Sequence, residues 1–571
     1  MLQAATGKLF TYDVERTNVL RGVVYTNISF LAGEGFETSI GSIQSLSSRS
    51  FPNVFNCSIT EKIEKSGSGP GVLVSNSISA YIQDFSDVIS FVLGVTCTPD
   101  IKAAERALIE KSRISRDPES PALKRYFSPD IVIKTSEIEH LKQVTSDLIA
   151  LRRAQYLAAI KSIRSYTTAV YRSKDDLDLA YTLLIISLES LVQNFDNYET
   201  SWADLNEIKR KPIDKALTGL STERAESIRG AVLSGEHVAL SRRFKQFVFS
   251  HIPDDYFGKM ADTEPRPAGK KDLKQALDNL YQTRSKYVHE LVSLPRNMLH
   301  AVDAETVVID GKILFTFQGL LRLAKTVILE FILRQEKIEK EPCNYMIDNP
   351  NIIFAKMCPS TWVGNTQGLA TNNCPSYFGG FIELIGNFYE AHPNGKIYDV
   401  REVIKSGLKL KGLKPNQKRS LLGMHFIFNY FIRGDQQSKI KISNADLKSI
   451  NEPSLESLIT HVIIGQNTEW DTKDHEKYYH AYYKQRLNKS GIYLSNKIEA
   501  CLGLSLAESF RLSNQIQECV AQLRTTAEDH PALIKIRELS ENFDSNTPIQ
   551  WITLVYSNIV KPKSNLECVG L

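Results

Sequence analysis

The chain is poor in paired cysteines and has no long apolar run. Eight cysteines are scattered through 571 residues with no CxxC pair. That pattern fits thiols in a reducing compartment better than a disulfide framework. Cys343, Cys358 and Cys374 are grouped, but they lack the close ligand pairing of a zinc site. No stretch reaches the roughly 18 uninterrupted apolar residues of a membrane span. The opening MLQAATGKLFTYDVE carries acidic residues and no signal-length apolar core, which points to a cytoplasmic protein. No GxxxxGK[ST] loop is present, so nothing suggests an in-chain NTPase. Gly33-Glu-Gly35 lacks the third glycine and following helix of a dinucleotide fingerprint. An excess of charge is missing too. The net charge of +4 is too mild for a histone-like nucleic-acid binder, though it allows a local basic cleft.

What is present is ordinary soluble composition, 42% hydrophobic and 23% charged. The length exceeds one core, so several domains are expected. Residues 1–110 read as a β-rich or α+β domain. Val19–Phe30 and Gly71–Ile82 are β-branched, partly alternating and bounded by turn formers, and a helix follows near Asp84–Leu93. Residues 111–135, with Asp117-Pro-Glu-Ser-Pro121, read as a linker. Residues 136–340 carry helical periodicity over Ser136–Tyr171, Leu177–Phe195, Asp214–Leu233, Val238–Phe249, Lys271–Val292 and Leu320–Arg334. Asp310-Gly311 predicts a hairpin turn within that span. Residues 341–571 read as a helical C-terminal domain, clearest over Ile382–Tyr389, Ser420–Ile432 and Ile498–Leu523, with a loop over Cys358–Gly380. The expected class is mainly α and multidomain.

The chemistry concentrates in Arg284-Ser-Lys-Tyr-Val-His289, inside the Lys271–Val292 pattern. Leu273, Leu277, Leu280 and Val288 mark one apolar stripe, and Arg284 falls on it. A charge there needs a partner or a cleft. Arginine suits bidentate phosphate contact, and histidine moves protons near neutral pH. Five residues of helix separate the two by about 7.5 Å and about 140°. Either the long arginine bends towards the histidine, or a second copy of the helix completes the site. The bland alternative is an ion pair of Arg284 with Glu189 or Asp278, and a His289 bonded to a carbonyl.

RSKYVHE resembles the R-x4-6-H signature of HEPN domains, with Ser285 as the polar residue after the arginine and Val288 before the histidine. Ala180–Leu191, containing Ser-Leu-Glu189-Ser-Leu, is similar to that family's earlier helix. The order of the two segments resembles large, Apea-like HEPN proteins of bacterial defence, over roughly residues 140–335. The resemblance implies a dimerising helical bundle that cuts RNA without metal or other cofactor. In that reading Arg284 holds the scissile phosphate, and His289 helps the ribose 2′-hydroxyl attack or protonates the leaving oxygen. Ser285, Tyr287 and Glu189 support the site, and a cyclic phosphate end results. It further implies an antiphage or toxin-like effector with a phage-derived or host protein trigger. A catalytically inactive HEPN scaffold binding RNA or a partner protein is the alternative, and an unrelated helical adaptor a third.

Two further features lie in the C-terminal third. His475-Glu-Lys-Tyr-Tyr-His480 misses the HExxH metalloprotease motif by one residue, which splays the histidines apart. Lys477, Tyr478, Tyr482, Lys484 and Arg486 interleave aromatic and basic side chains, as surfaces that stack bases do, and Lys286 adds a cation beside the motif arginine. Tyrosines packed on a core are the plainer reading of the same run.

Overall fold

The computed structural model describes residues 1–30, 34–46, 51–67, 73–108, 121–195, 201–202, 205, 207–235, 240–290, 292–300, 303–349, 352–353, 355–391, 395–432, 434–488, 491–556 and 568–569. These residues are mainly helical, with a small antiparallel sheet near the N-terminus. They divide into two compact units, Met1–Phe354 and Ala355–Leu571. The sequence-level boundaries near 110 and 135 fall inside the first unit, and the boundary at 341 moves to 354. Residues 111–120 of the expected linker lie outside the described residues, whereas residues 121–135 include helix Pro121–Phe127 and strand Ile131–Val132, which pairs with Ile28–Ser29, so this part is built into the first unit.

In the first unit the sheet runs in the order Gly35–Glu37, Gly41–Ser45, Asn53–Glu64, Val14–Thr26 and Cys97–Thr98. Val14–Thr26 pairs antiparallel with Asn53–Glu64 along nearly its whole length. This is the first predicted strand, displaced towards the N-terminus. The second is overturned: residues 73–77 form no strand, Ile78–Ala80 is a 3-10 turn and a helix starts at Ile82. The buried carboxylate of Glu61 explains the difference. Its oxygens accept from Ser75 Oγ at 2.6 Å, Asn76 N at 3.0 Å and Tyr81 Oη at 2.6 Å. The segment is thereby tied across the strand instead of pairing beside it.

The Ile82–Leu93 helix is the bridge between sheet and helices, with eleven of its twelve residues buried. Its Phe85, Val88 and Ile89 share one hydrophobic core with Val24, Phe55 and Ile59 of the sheet and with Ile163, Leu188, Leu277 and Val327 of the helices. The long predicted helix of residues 136–171 is two, Thr135–Ala150 and Arg153–Arg172. The break follows from diverted carbonyls. Buried Lys8 donates its ammonium to the carbonyls of Ile149 at 2.9 Å, Leu151 at 2.6 Å and Ile338 at 2.7 Å. The 214–233 span is likewise two helices, Glu207–Leu217 and Thr222–Gly235, parted at Gly219 with φ +95°.

The Lys270–Glu290 helix carries the RSKYVHE motif. Thr306–Ile309 and Lys312–Phe315 form the expected hairpin, with Asp310 at φ 50° and Gly311 at φ 71°. Two positive φ values match the twist of a two-residue turn, hence Asp-Gly. Helix Phe317–Arg334 then packs its apolar face into the core, capped by Thr316.

The second unit is an array of helices around its own core. Helix Cys374–Ala391 begins inside the segment expected as loop, while residues 358–373 hold only short 3-10 turns. The predicted 498–523 helix is two, Asn496–Leu512 and Ile516–Asp529, because Asn514 takes φ 57° between them. Among the described residues, no helix is long and apolar enough to cross a membrane.

Two predictions follow from the packing. A Cβ on Gly319 would stand 2.1 Å from the carbonyl oxygen of Glu305. The helix-propensity gain of alanine, about 1 kcal/mol, is smaller than the cost of forcing that backbone apart. Gly319→Ala therefore lowers stability by about 2 kcal/mol in denaturant unfolding, and a stabilised variant would refute the contact. In the second unit His475 is 2% exposed, and burial, aided by neighbouring His461, depresses its pKa from 6.5 to about 4. The unfolded chain takes up a proton near pH 6.5 that the folded unit refuses, so stability falls as pH drops from about 6.5 towards 4. The share of His475 is about 3 kcal/mol at the acid end. Trp470 and Trp551 line one cavity together with His475 and report the unfolding by fluorescence. His475→Gln is expected to flatten the acid limb, and an unchanged pH slope would assign it to other groups.

Candidate functional site

The motif helix is amphipathic, and its buried stripe of Leu273, Ala276, Leu277 and Leu280 seats it in the first unit's core. Arg284 continues that stripe, and its side chain is 21% exposed. Its Nη2 lies 3.4 Å from Glu189 Oε2, on helix Leu177–Phe195, where the glutamate side chain is 16% exposed. The two segments singled out in the sequence are thus joined by their charged residues. Asp278, the other acid considered for Arg284, pairs with Lys245.

Burial pushes the Glu189 carboxyl above the usual carboxylate range, and the nearby Arg284 guanidinium opposes that shift. The Arg284 Nε is buried and has no hydrogen-bond partner among the described residues. Tyr287, one turn on, is partly buried against the same core. Burial, then Asp176 and Asp178, push its phenol upward. For Ser285, Lys286 and His289 the description covers the helical backbone only, so the disposition of those side chains lies outside it. Helical spacing puts His289 one and a half turns beyond Arg284, which is compatible with one cleft only through the reach of the arginine or through a second helix.

The aromatic-basic run occupies helix Thr472–Gln485, capped by Asp471. The structure separates its members. Tyr482 is fully buried, and its hydroxyl donates to Glu499, which also accepts from Arg486 Nη1 at 3.0 Å. Tyr482 is therefore a core residue and offers no face to a base. Arg486 stacks over Tyr483 at 4.8 Å, a second structural engagement. Lys477 and Lys484 are exposed, and Lys477 sits 5.1 Å over the partly buried Tyr478 ring. The run thus presents lysines outward and tyrosines inward.

The two histidines of the near-HExxH segment part company. His475 is buried, with Thr468 Oγ1 and Ser505 Oγ each 3.3 Å from its ring nitrogens. His480 is exposed and faces Glu476 at 3.8 Å. Cys374 is buried at a helix start and Cys358 is exposed. No group of three histidine, cysteine or acidic side chains able to hold a metal occurs among the described residues.

In comparisons with known proteins, no family model, curated protein or solved structure matches the chain.

Proposed function

We propose that this chain is a metal-independent endoribonuclease of the HEPN type, acting in antiphage defence or as a toxin-like effector. The observation that carries the reading is the Arg284–Glu189 pair. A partly buried carboxylate orients the guanidinium from one side, on the helix that also carries His289. Arg284 would hold the scissile phosphate and stabilise the negative charge that grows on it. His289 would take the proton of the ribose 2′-hydroxyl or return one to the leaving 5′-oxygen. The attacking 2′-oxygen forms a bond to phosphorus as the 5′-oxygen leaves, giving a 2′,3′-cyclic phosphate. No covalent bond to the protein is needed.

In this reading the helix bearing Arg284 dimerises, which would bring a second His289 to each arginine. Ser285 and Tyr287 flank the phosphate, and Lys286 adds a cation for the RNA strand. The terminal parts of the chain restrain the activity or sense the phage-derived or host trigger, since a free ribonuclease harms its host.

The test compares wild type, Arg284→Ala, His289→Ala and Glu189→Gln in a bacterial host, at rest and under phage challenge. Total RNA is scored for fragments ending in cyclic phosphate. Wild type is expected to yield them. His289→Ala and Arg284→Ala should lower the yield by about 10² to 10⁴. Glu189→Gln should lower it less, through the loosened arginine. Absence of fragments from wild type in both conditions would leave the RNA- or partner-binding scaffold as the reading.

A further inference from the structure

The second unit contains a basic surface that neither the HEPN motif nor the aromatic-basic helix accounts for. From Val403 to Gly434 the chain has no aspartate or glutamate, yet it carries Lys405, Lys409, Lys411, Lys414, Lys418 and Arg419. These residues cluster where helix Arg401–Gly407 turns through residues 408–414 into helix Pro415–Phe431. Gly412, at φ +78°, makes the turn possible. Leu408, Leu410 and Leu413 are partly buried and pack against the unit's core. The intervening Lys409, Lys411 and Lys414 are exposed.

The neighbouring carboxylates neutralise only the rim of this cluster. Lys405 pairs with Glu402 at 3.2 Å, Lys418 with Asp446 at 2.5 Å and Arg419 with Glu452 at 2.9 Å. Lys409, Lys411 and Lys414 have no carboxylate partner among the described residues. Arg419 Nε also donates to the Ser449 carbonyl at 3.0 Å, which draws the Asn444–Asn451 helix and its exposed Lys448 alongside. The N-terminus of the seventeen-residue Pro415–Phe431 helix adds its partial positive charge at the same place. Like charges on one turn repel one another, and a polyanion relieves that repulsion.

We propose that this turn binds the phosphate backbone of a single-stranded nucleic acid. Lysines act as point charges on phosphates and release counterions without reading bases. An anionic membrane fits less well, because no large apolar side chain is exposed between residues 403 and 419 to enter a lipid interface. This surface belongs to a different unit from Arg284, and the proposal rests on no part of the ribonuclease reading.

The experiment titrates the full chain against a short labelled single-stranded deoxyoligonucleotide, which lacks the 2′-hydroxyl and survives any 2′-hydroxyl chemistry. Fluorescence anisotropy is recorded across a salt series. Lys409→Gln/Lys411→Gln/Lys414→Gln is expected to weaken binding by about tenfold or more, and to reduce the slope of log affinity against log salt by about 2. The triple arginine variant, which keeps the charge, is expected to bind like wild type. Equal affinity and slope for wild type and the glutamine variant would overturn the proposal. So would a wild type that ignores the oligonucleotide but binds phosphatidylserine vesicles.

Discussion

The first unit depends on satisfying the polar groups of one helix that has almost no solvent-facing side. Ile82–Leu93 buries acids and serines as well as its apolar residues. Asp84 accepts from the terminal ammonium of Met1 at 2.9 Å and from Arg164 Nε at 2.6 Å. Asp87 accepts from Thr167 at 2.9 Å and Gln83 at 3.1 Å, and burial still pushes its carboxyl up to about 7. At the far end, Lys325 and Arg125 take the carbonyls of Val92 and Leu93. Removing any one partner would leave a polar group stranded in low dielectric. The sheet, the first residues of the chain and the long helices are therefore committed to one core.

The same constraint governs the motif helix. Arg284 lies on an apolar stripe, and only a partner makes that position tolerable. Glu189 supplies one at 3.4 Å, and among the described residues the guanidinium Nε has no hydrogen-bond partner. Two other buried carboxylates each meet two donors. Glu305 accepts from Arg322 Nη1 and from the Ala268 amide, each at 2.7 Å. Glu499 engages both Tyr482 and Arg486. The Arg284–Glu189 pair joins the two segments that carry the family resemblance, and it is why the ribonuclease proposal is built on Arg284.

The second unit divides its cations in a comparable way. Arg486 is spent on Glu499 and Tyr483, so the aromatic-basic helix offers mainly Lys477 and Lys484 outward. The turn at residues 408–414 holds three exposed lysines with no carboxylate partner among the described residues, while its leucines pack against the core. Charge that costs self-repulsion and gains no internal pair is charge available to a partner.

The primary structure by itself determined the local elements whose signals are self-contained. Asp310-Gly311 dictates its hairpin through two positive φ values, and the apolar spacing of residues 271–288 dictates the motif helix. The mainly helical class and the early sheet were legible for the same reason. Tertiary structure decided what depends on distant partners. Lys8 and Gln3 divert carbonyls at Ile149 and Leu151 and split a helix whose periodicity runs straight through the break. Glu61 draws residues 75–76 away from a strand their β-branched neighbours favour. The choice of Glu189 over Asp278 for Arg284, the burial of Tyr482, and the pairing of Lys405, Lys418 and Arg419 but, among the described residues, not of Lys409, Lys411 and Lys414 are facts of packing. Side-chain period marks which face is apolar, but which charge meets which is settled only when elements far apart in the chain are brought together.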